Sequence, residues 1–318
     1  MSDDGNGAAP AEASGTILAF LNEVAGGRRL LETLRARIEA GAEDVALVAP
    51  QNQPMSGQIV DRDELREAAQ SRVEVTEAVL AEFGIDAVGA VMDPDPLLAL
   101  DDAIRAFQPS EVLISALAET RIGVLRRDLI EWAKSTFETP ITHIPVRIDD
   151  DAVRWDVTHT LVVSTRTVAS RGLIDALKKR AADAPHRYTV ICPRSGGIER
   201  EEVCERLARL LAELYRSEID ATGQPMSPEP FAAVQNAIEH YRVDDVLICT
   251  LEGQRSKWLE EGLIERVKGI TEKPIEHIEA SDDVAAPEIA MAPDPAVVVG
   301  AERGEDEVKS EDDDPTEG

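Results

Sequence analysis

The chain repeats itself, and this constrains its fold more than any other feature. Residues 94–144 lie on 228–278 without a gap at an offset of 134, and 20 of the 51 positions are identical. "VLI" (112–114) meets "VLI" (246–248), and "LIE" (129–131) meets "LIE" (263–265). Arg121 meets Arg255, and Lys134 meets Lys268. The closing phrase "ETPITHI" (138–144) returns as "EKPIEHI" (272–278), which aligns His143 with His277. The front of each unit matches in pattern at another offset, "TILAFL" (16–21) with "TLVVST" (160–165) and "DVALVAP" (44–50) with "YTVICP" (188–193). A longer insert around "QNQPMSGQIVDRD" (51–63) shifts the offset in the first unit. An internal match of this length means one structural unit built twice.

Within each unit, short apolar runs alternate with helical periodicity. In the second, "TLVVST" and "YTVICP" predict buried strands, 170–182 predicts a helix, and 200–216 places Val203, Leu207, Leu210, Leu211 and Leu214 at helical spacing. A weak strand (219–226), a helix opening at Pro230 and the strand "DVLICT" (245–250) follow. Proline is favoured in a first helical turn. A last helix (256–268) and the strand "PIEHI" close the unit. Near-continuous apolar strands separated by helices predict a parallel sheet covered on both faces. The expected fold class is α/β, with two tandem five-stranded parallel-sheet sandwiches of Rossmann-like type. The expected domains span 16–148 and 160–280, joined by a linker at 149–159.

Composition limits what such a chain can do. The formal net charge is −29 over 318 residues. From Ser281 to Gly318 there are thirteen acids against Arg303 and Lys309, so 281–318 is expected to be an acidic disordered tail. Residues 1–15 carry no sustained apolar pattern and are expected to be disordered as well. A surface this acidic repels phosphodiester backbones and anionic lipid, which argues against nucleic-acid and membrane partners. No apolar run approaches the roughly 18 residues of a membrane span, and no secretory leader is evident. Cys192, Cys204 and Cys249 are odd in number and widely spaced, so they fit buried thiols in a reducing cytoplasm rather than a disulfide framework.

In an open parallel sheet, ligands bind beyond the carboxyl ends of the strands where strand order reverses. The loops there read "NEVAGG" (22–27) and "ALAETR" (116–121) in the first unit, and "TRTVAS" (165–170) and "TLEGQRS" (250–256) in the second. Small and hydroxyl residues admit close backbone approach to an anion, and the following helix N-termini favour it. Arg121 and Arg255 stand at the same place in both units, either facing an anionic ligand group or forming a packing salt bridge. His143 and His277 read as packed strand or edge residues, and Trp258 as a packed helix residue or a stacking surface. Asp95 reads as a helix N-cap. "RSGGIER" (194–200) follows the second strand and lacks an Asp-Ser pair, so it is not a pyrophosphatase-type loop. No catalytic or metal-binding group can be named, so the sequence offers no positive argument for an enzyme.

A unit of this length, ending in strand, helix and the proline-histidine phrase, resembles the universal stress protein domain of the adenine nucleotide α-hydrolase-like superfamily. Two copies resemble the tandem members of that family. "DDVLICTLEGQRSKWLEEGLIERVKGITEKPIEHI" (244–278) carries the resemblance most strongly, with "DPDPLLALDDAIRAFQPSEVLI" (93–114) beside it. Family members that bind ATP carry an Asp at the end of the first strand, where this chain has Leu21 and Thr165. They also carry a Gly-x2-Gly-x9-Gly-[Ser/Thr] loop that Gly253 and Gly262 do not reproduce. The resemblance therefore implies the fold, and it implies ATP or another adenine nucleotide only as a ligand class. In the second unit such a ligand would meet Thr165, Arg166, Thr250, Gly253, Arg255 and Ser256, and in the first Asn22 and Arg121. The resemblance also implies an internal pseudo-dimer through the fifth strands (141–148 and 275–278), open to further homo-oligomers. Two roles remain open: a non-enzymatic stress-response sensor of an anionic small molecule, or a ligand-free scaffold that binds a protein partner through its surfaces and tail.

Overall fold

The computed structural model describes residues 15–22, 25, 27–51, 62–116, 121–122, 127–145, 157–193, 198–226, 229–253 and 257–283. The first half runs β1 (Gly15–Leu21), α1 (Arg28–Glu39), β2 (Ala42–Pro50), α2 (Arg62–Ala81), β3 (Val88–Met92), α3 (Pro96–Phe107) and β4 (Glu111–Ala116). A short antiparallel pair, β5 (Arg121–Ile122) and β6 (Arg127–Asp128), leads into α4 (Leu129–Thr136) and β7 (Ile141–Pro145). The second half runs β8 (Thr158–Val163), α5 (Arg171–Asp183), β9 (His186–Pro193), α6 (Arg200–Arg216), β10 (Asp220–Met226) and α7 (Pro230–Tyr241). It ends with β11 (Asp245–Leu251), α8 (Lys257–Glu260), α9 (Leu263–Lys268) and β12 (Ile275–Ala280).

The strands form two five-stranded sheets of the same order, β3-β2-β1-β4-β7 and β10-β9-β8-β11-β12, and every pairing in them is parallel. This is the doubled α/β, Rossmann-like fold expected from the repeat. Ile17 to Leu21 are fully buried, as a central strand covered on both faces must be. Strand order reverses between β1 and β4 in one sheet and between β8 and β11 in the other.

The repeated helices are set by local chemistry. The Asp95 carboxylate accepts the Leu97 N–H at 2.9 Å, Asp128 accepts those of Ile130 and Glu131, and the Ser170 hydroxyl accepts that of Leu173. Pro230 opens α7 as expected. The helix expected over 256–268 is instead broken into α8 and α9, because Gly262 adopts the left-handed conformation with φ +67°. His143 and His277 occupy matching places on the fifth strands. Their Nε2 atoms meet the Ala116 carbonyl at 3.0 Å and the Thr250 hydroxyl at 2.8 Å. Trp258 is buried against Leu263 and Val267, as a packed helix residue.

Among the described residues the fifth strands do not pair with each other, contrary to the expected internal pairing; 146–148 of the expected strand lie outside the described residues. Among the described residues, β7 pairs with β4 alone and β12 with β11 alone. The halves join through helices instead, with α2 packed along α6. Val73, Val79 and Leu80 of α2 belong to one apolar cluster with Leu207, Leu210, Leu211 and Leu214 of α6. Burying two apolar helix faces releases more hydrated apolar surface than joining two strand edges. The β12 edge also carries Glu276 and Glu279, and charges of this kind discourage edge pairing. Three ion pairs frame the junction: Arg28–Asp220 and Arg216–Glu82, both at 2.8 Å, and Arg200–Glu74 at 2.6 Å. Glu82 and Arg216 lie 134 residues apart, the offset of the repeat. The Arg216 guanidinium also stacks 5.2 Å from the Phe83 ring centroid.

Two outcomes follow from this packing. Replacing Arg216 with Ala removes its bonds to Glu82 and Glu213 and its cover of Phe83, and should lower unfolding stability by about 1–2 kcal/mol in urea titration. An unchanged midpoint would show that the ion pairs at the junction contribute nothing. Cys192, Cys204 and Cys249 are free and at most 2% exposed, and burial raises all three thiol pKa values, that of Cys249 to about 11. All three should resist a thiol-reactive disulfide reagent in the native chain and react once the chain is unfolded.

Candidate functional site

The crevice of the second half lies beyond the carboxyl ends of β8 and β11. It is lined with hydroxyls because the chain leaves β8 through "STRTVAS" (164–170), where Ser164, Thr165, Thr167 and Ser170 are all buried. Each of these hydroxyls is already engaged. Thr165 donates to the Pro193 carbonyl at 2.6 Å, and Ser164 and Thr167 bond each other at 2.8 Å. Thr167 also reaches the Cys249 carbonyl at 3.3 Å, which ties the β8 loop to β11. Thr250 is held by His277, and Ser170 caps α5. These bonds make a rigid floor and leave little for a ligand to capture.

Charge enters from above that floor. Arg166 is half exposed, and its Nη2 reaches Asp282 Oδ2 at 3.2 Å. Arg206, on α6, donates through Nη1 to the Arg166 carbonyl at 2.6 Å and to Asp282 Oδ1 at 2.7 Å. Two guanidiniums thus converge on one carboxylate at the mouth of the crevice. Partial burial pushes the Asp282 carboxyl up, but the Arg206 hydrogen bond and charge, reinforced by Arg166, outweigh it and hold it below its ordinary 3.8. The chain around Asp282 is anchored by backbone bonds: Glu252 N–H donates to the Ala280 carbonyl at 2.9 Å, and Arg171 N–H to the Asp283 carbonyl at 3.3 Å. Composition alone assigns Ser281–Asp283 to the tail; in the structure they return to the sheet, because Asp282 finds two cations there.

Of the residues singled out from sequence, Thr165, Arg166, Thr250 and Gly253 border this crevice. Gly253 has φ +68° with open space around its Cα, so it shapes the turn after β11. Arg255 and Ser256 lie outside the described residues. Asn22 is buried at the end of β1, its N–H donating to the Ser115 carbonyl at 3.0 Å, in the other half of the molecule. Arg121 sits in the short β5–β6 pair opposite Asp128; its side chain lies outside the description. Arg206 and Asp282 are the members that sequence reasoning missed. Arg206 lies beside Leu207 on an amphipathic helix like any solvated arginine, and Asp282 is one acid in an acidic run. Among the described residues no group of three His, Cys, Asp or Glu side chains could hold a metal ion, and no helix is long and apolar enough to cross a membrane.

Comparison with known proteins adds little beyond the fold. No protein-family model matches the chain, and no curated protein matches it. Among solved structures, it is similar to a universal stress protein from Archaeoglobus fulgidus DSM 4304, with 16% identity over 83% of this chain and 97% of that one and a TM-score of 0.31. A glycotransferase of kitacinnamycin aligns with 10% identity over 91% and 92% of the two chains, with a TM-score of 0.19. At such scores the fold assignment rests on the sheets themselves. Their doubled order fits the tandem arrangement that the sequence resemblance implies.

Asp282 binds fewer protons in the folded chain than in the unfolded one. Its contribution is therefore complete above pH 3.8 and fades as pH falls through the lower folded value. Asp282→Asn should cost about 0.5–1 kcal/mol at neutral pH, a modest figure because the pair is partly solvated. The difference from the parent chain should close in unfolding titrations as the pH falls through the lowered folded value. A gap that stays constant with pH would mean that Asp282 acts through shape rather than charge.

Proposed function

We propose that the chain is a non-enzymatic regulatory protein of the tandem universal stress protein kind, and that its second half binds an anionic small molecule at the arginine pair held by Asp282. The ligand class that the resemblance implies is an adenine nucleotide. One observation carries the reading: Arg166 and Arg206 converge on a single carboxylate at the carboxyl end of a parallel sheet, beside the reversal of strand order. Two guanidiniums fixed in this way suit a phosphate or carboxylate group better than a solitary surface cation does. The carboxylate of Asp282 stands where such a group would lie, and a ligand would have to displace it. Buried, free thiols fit a cytoplasmic setting.

A second reading has its own support. The crevice hydroxyls are satisfied internally and the cation pair is neutralised by the chain's own Asp282 together with Glu202, which meets Arg206 at 2.7 Å, as a scaffold without a ligand would require. The two readings part in a thermal-shift panel of ATP, ADP, AMP and cyclic nucleotides, with and without magnesium. A ligand at 100 times its dissociation constant stabilises by about 2.7 kcal/mol, which for a unit of this size raises the midpoint by about 5–10 °C. The sensor reading expects a shift that is larger in Asp282→Asn and abolished in Arg166→Ala. No shift in either the parent chain or Asp282→Asn would leave the scaffold.

A further inference from the structure

The crevice of the second half has a cover, and the cover is a piece of the same chain. Strand β12 keeps its register with β11 as far as Ala280, which is buried and whose carbonyl accepts the Glu252 N–H at 2.9 Å. Ala280 also lies on the first turn of α5, where a Cβ on Gly172 would come within 3.1 Å of its own. Beyond Ala280 the contacts change character. Ser281, Asp282 and Asp283 contain no apolar side chain, and polar bonds alone tie them to the rest of the second half. Arg166 and Arg206 hold the Asp282 carboxylate, and the Arg171 N–H donates to the Asp283 carbonyl at 3.3 Å. A paired strand thus gives way, at one peptide unit, to a segment that can detach without uncovering a core.

The place this segment occupies is specific. Arg171 is the first residue of α5, a helix of 13 residues that follows β8, and its amide is one of the donors that a helix start leaves open. The Ser170 hydroxyl satisfies the Leu173 N–H, and the segment after β12 takes that of Arg171. The arginine pair and the helix start are the two anion-attracting elements at this end of the sheet. Both are held by the same three residues. The charges agree with a removable cover. Arg206 is shared between Asp282 and Glu202, each at 2.7 Å. With Asp282 in place these two carboxylates balance Arg166 and Arg206. Once Asp282 leaves, Glu202 stays behind on α6 and one positive charge is uncovered.

We infer that Ser281–Asp283 is an autoinhibitory strap, docked across the crevice in the unliganded chain, hinged at Ala280 and lifted by the anion that binds there. The inference rests on the reading of that crevice as an anion site and supplies its regulation. Ligand and docked strap exclude each other, so each weakens the other by the same factor. A phosphate group brings more charge and more oxygens to the arginines than the single carboxylate it replaces. Lifting the strap also frees the start of 281–318, a stretch with thirteen acids against Arg303 and Lys309. Occupancy of the crevice is thereby reported at the acidic end of the chain.

The test uses the full chain carrying Ser281→Cys. The native thiols are buried, so a thiol-reactive disulfide reagent reports on position 281 alone, and the chain without the substitution is the blank. ATP with magnesium is the probe, its binding followed by calorimetry on the same sample. Saturating ATP should speed modification of the introduced thiol. Adding Asp282→Asn should speed it without ATP by about two- to fivefold, as expected for a partly solvated pair, and should tighten ATP binding by the same factor. A merely structural role for Asp282 would not make the two factors agree. ATP that binds while the modification rate stays constant, or falls, would overturn the strap and leave the crevice as a ligand site. No heat of binding in the parent chain or in Asp282→Asn would remove the anion site, and the strap with it.

Discussion

Everything else in the molecule depends on one apolar contact, the packing of α2 against α6. Each helix already covers the sheet of its own half, and each has a second apolar stripe left over. Val73, Val79 and Leu80 on one side and Leu207 to Leu214 on the other merge the two cores into a continuous cluster. This removes from water surface that would otherwise be exposed in both halves. The ion pairs at 74–200, 82–216 and 28–220 rim that contact rather than replace it, and they fix its register. Partly exposed pairs of this kind supply specificity more than stability.

The helix junction also decides which ends and edges of the sheets face the other half. Because the halves meet through helices, among the described residues no further strand pairs with β7 or β12. In the first half, the end of β4 and the first turn of α1 face the second half and line a cleft with residues at the starts of β8, β9 and β10. The ends of the central strands therefore have different surroundings in the two halves, a returning chain segment in one and the neighbouring half in the other.

The returning segment illustrates how charge can order an otherwise polar stretch. Ser281–Asp283 has no apolar residue to bury. Asp282 is fixed by two cations and by backbone bonds on either side of it, which together offset the entropy lost on ordering. In a chain this acidic, arginines that point at a crevice attract the chain's own carboxylates first. A ligand for that crevice must therefore out-compete a tethered anion, which sets a demand on its charge and its number of oxygens.

The doubled α/β fold was legible in the residues themselves. The 134-residue repeat, the apolar strand runs and the caps at Asp95 and Pro230 are local or periodic signals, and local signals survive without knowledge of the fold. His143 and His277 were legible for the same reason, since the repeated phrase put them on equivalent strands. The break at Gly262 was not, because a glycine within a helical pattern becomes a stop only when the packing around it selects the left-handed turn. The pairing of the halves was also out of reach. An apolar stripe on α2 or α6 states that something must cover it and leaves open what does. Arg206 and Asp282 are separated widely along the chain, and their charges look solvated in any window of sequence. Only the tertiary structure brings an arginine of α6 to a carboxylate after β12, or the first turn of α1 to the start of β10, because these meetings follow from helix packing between distant segments.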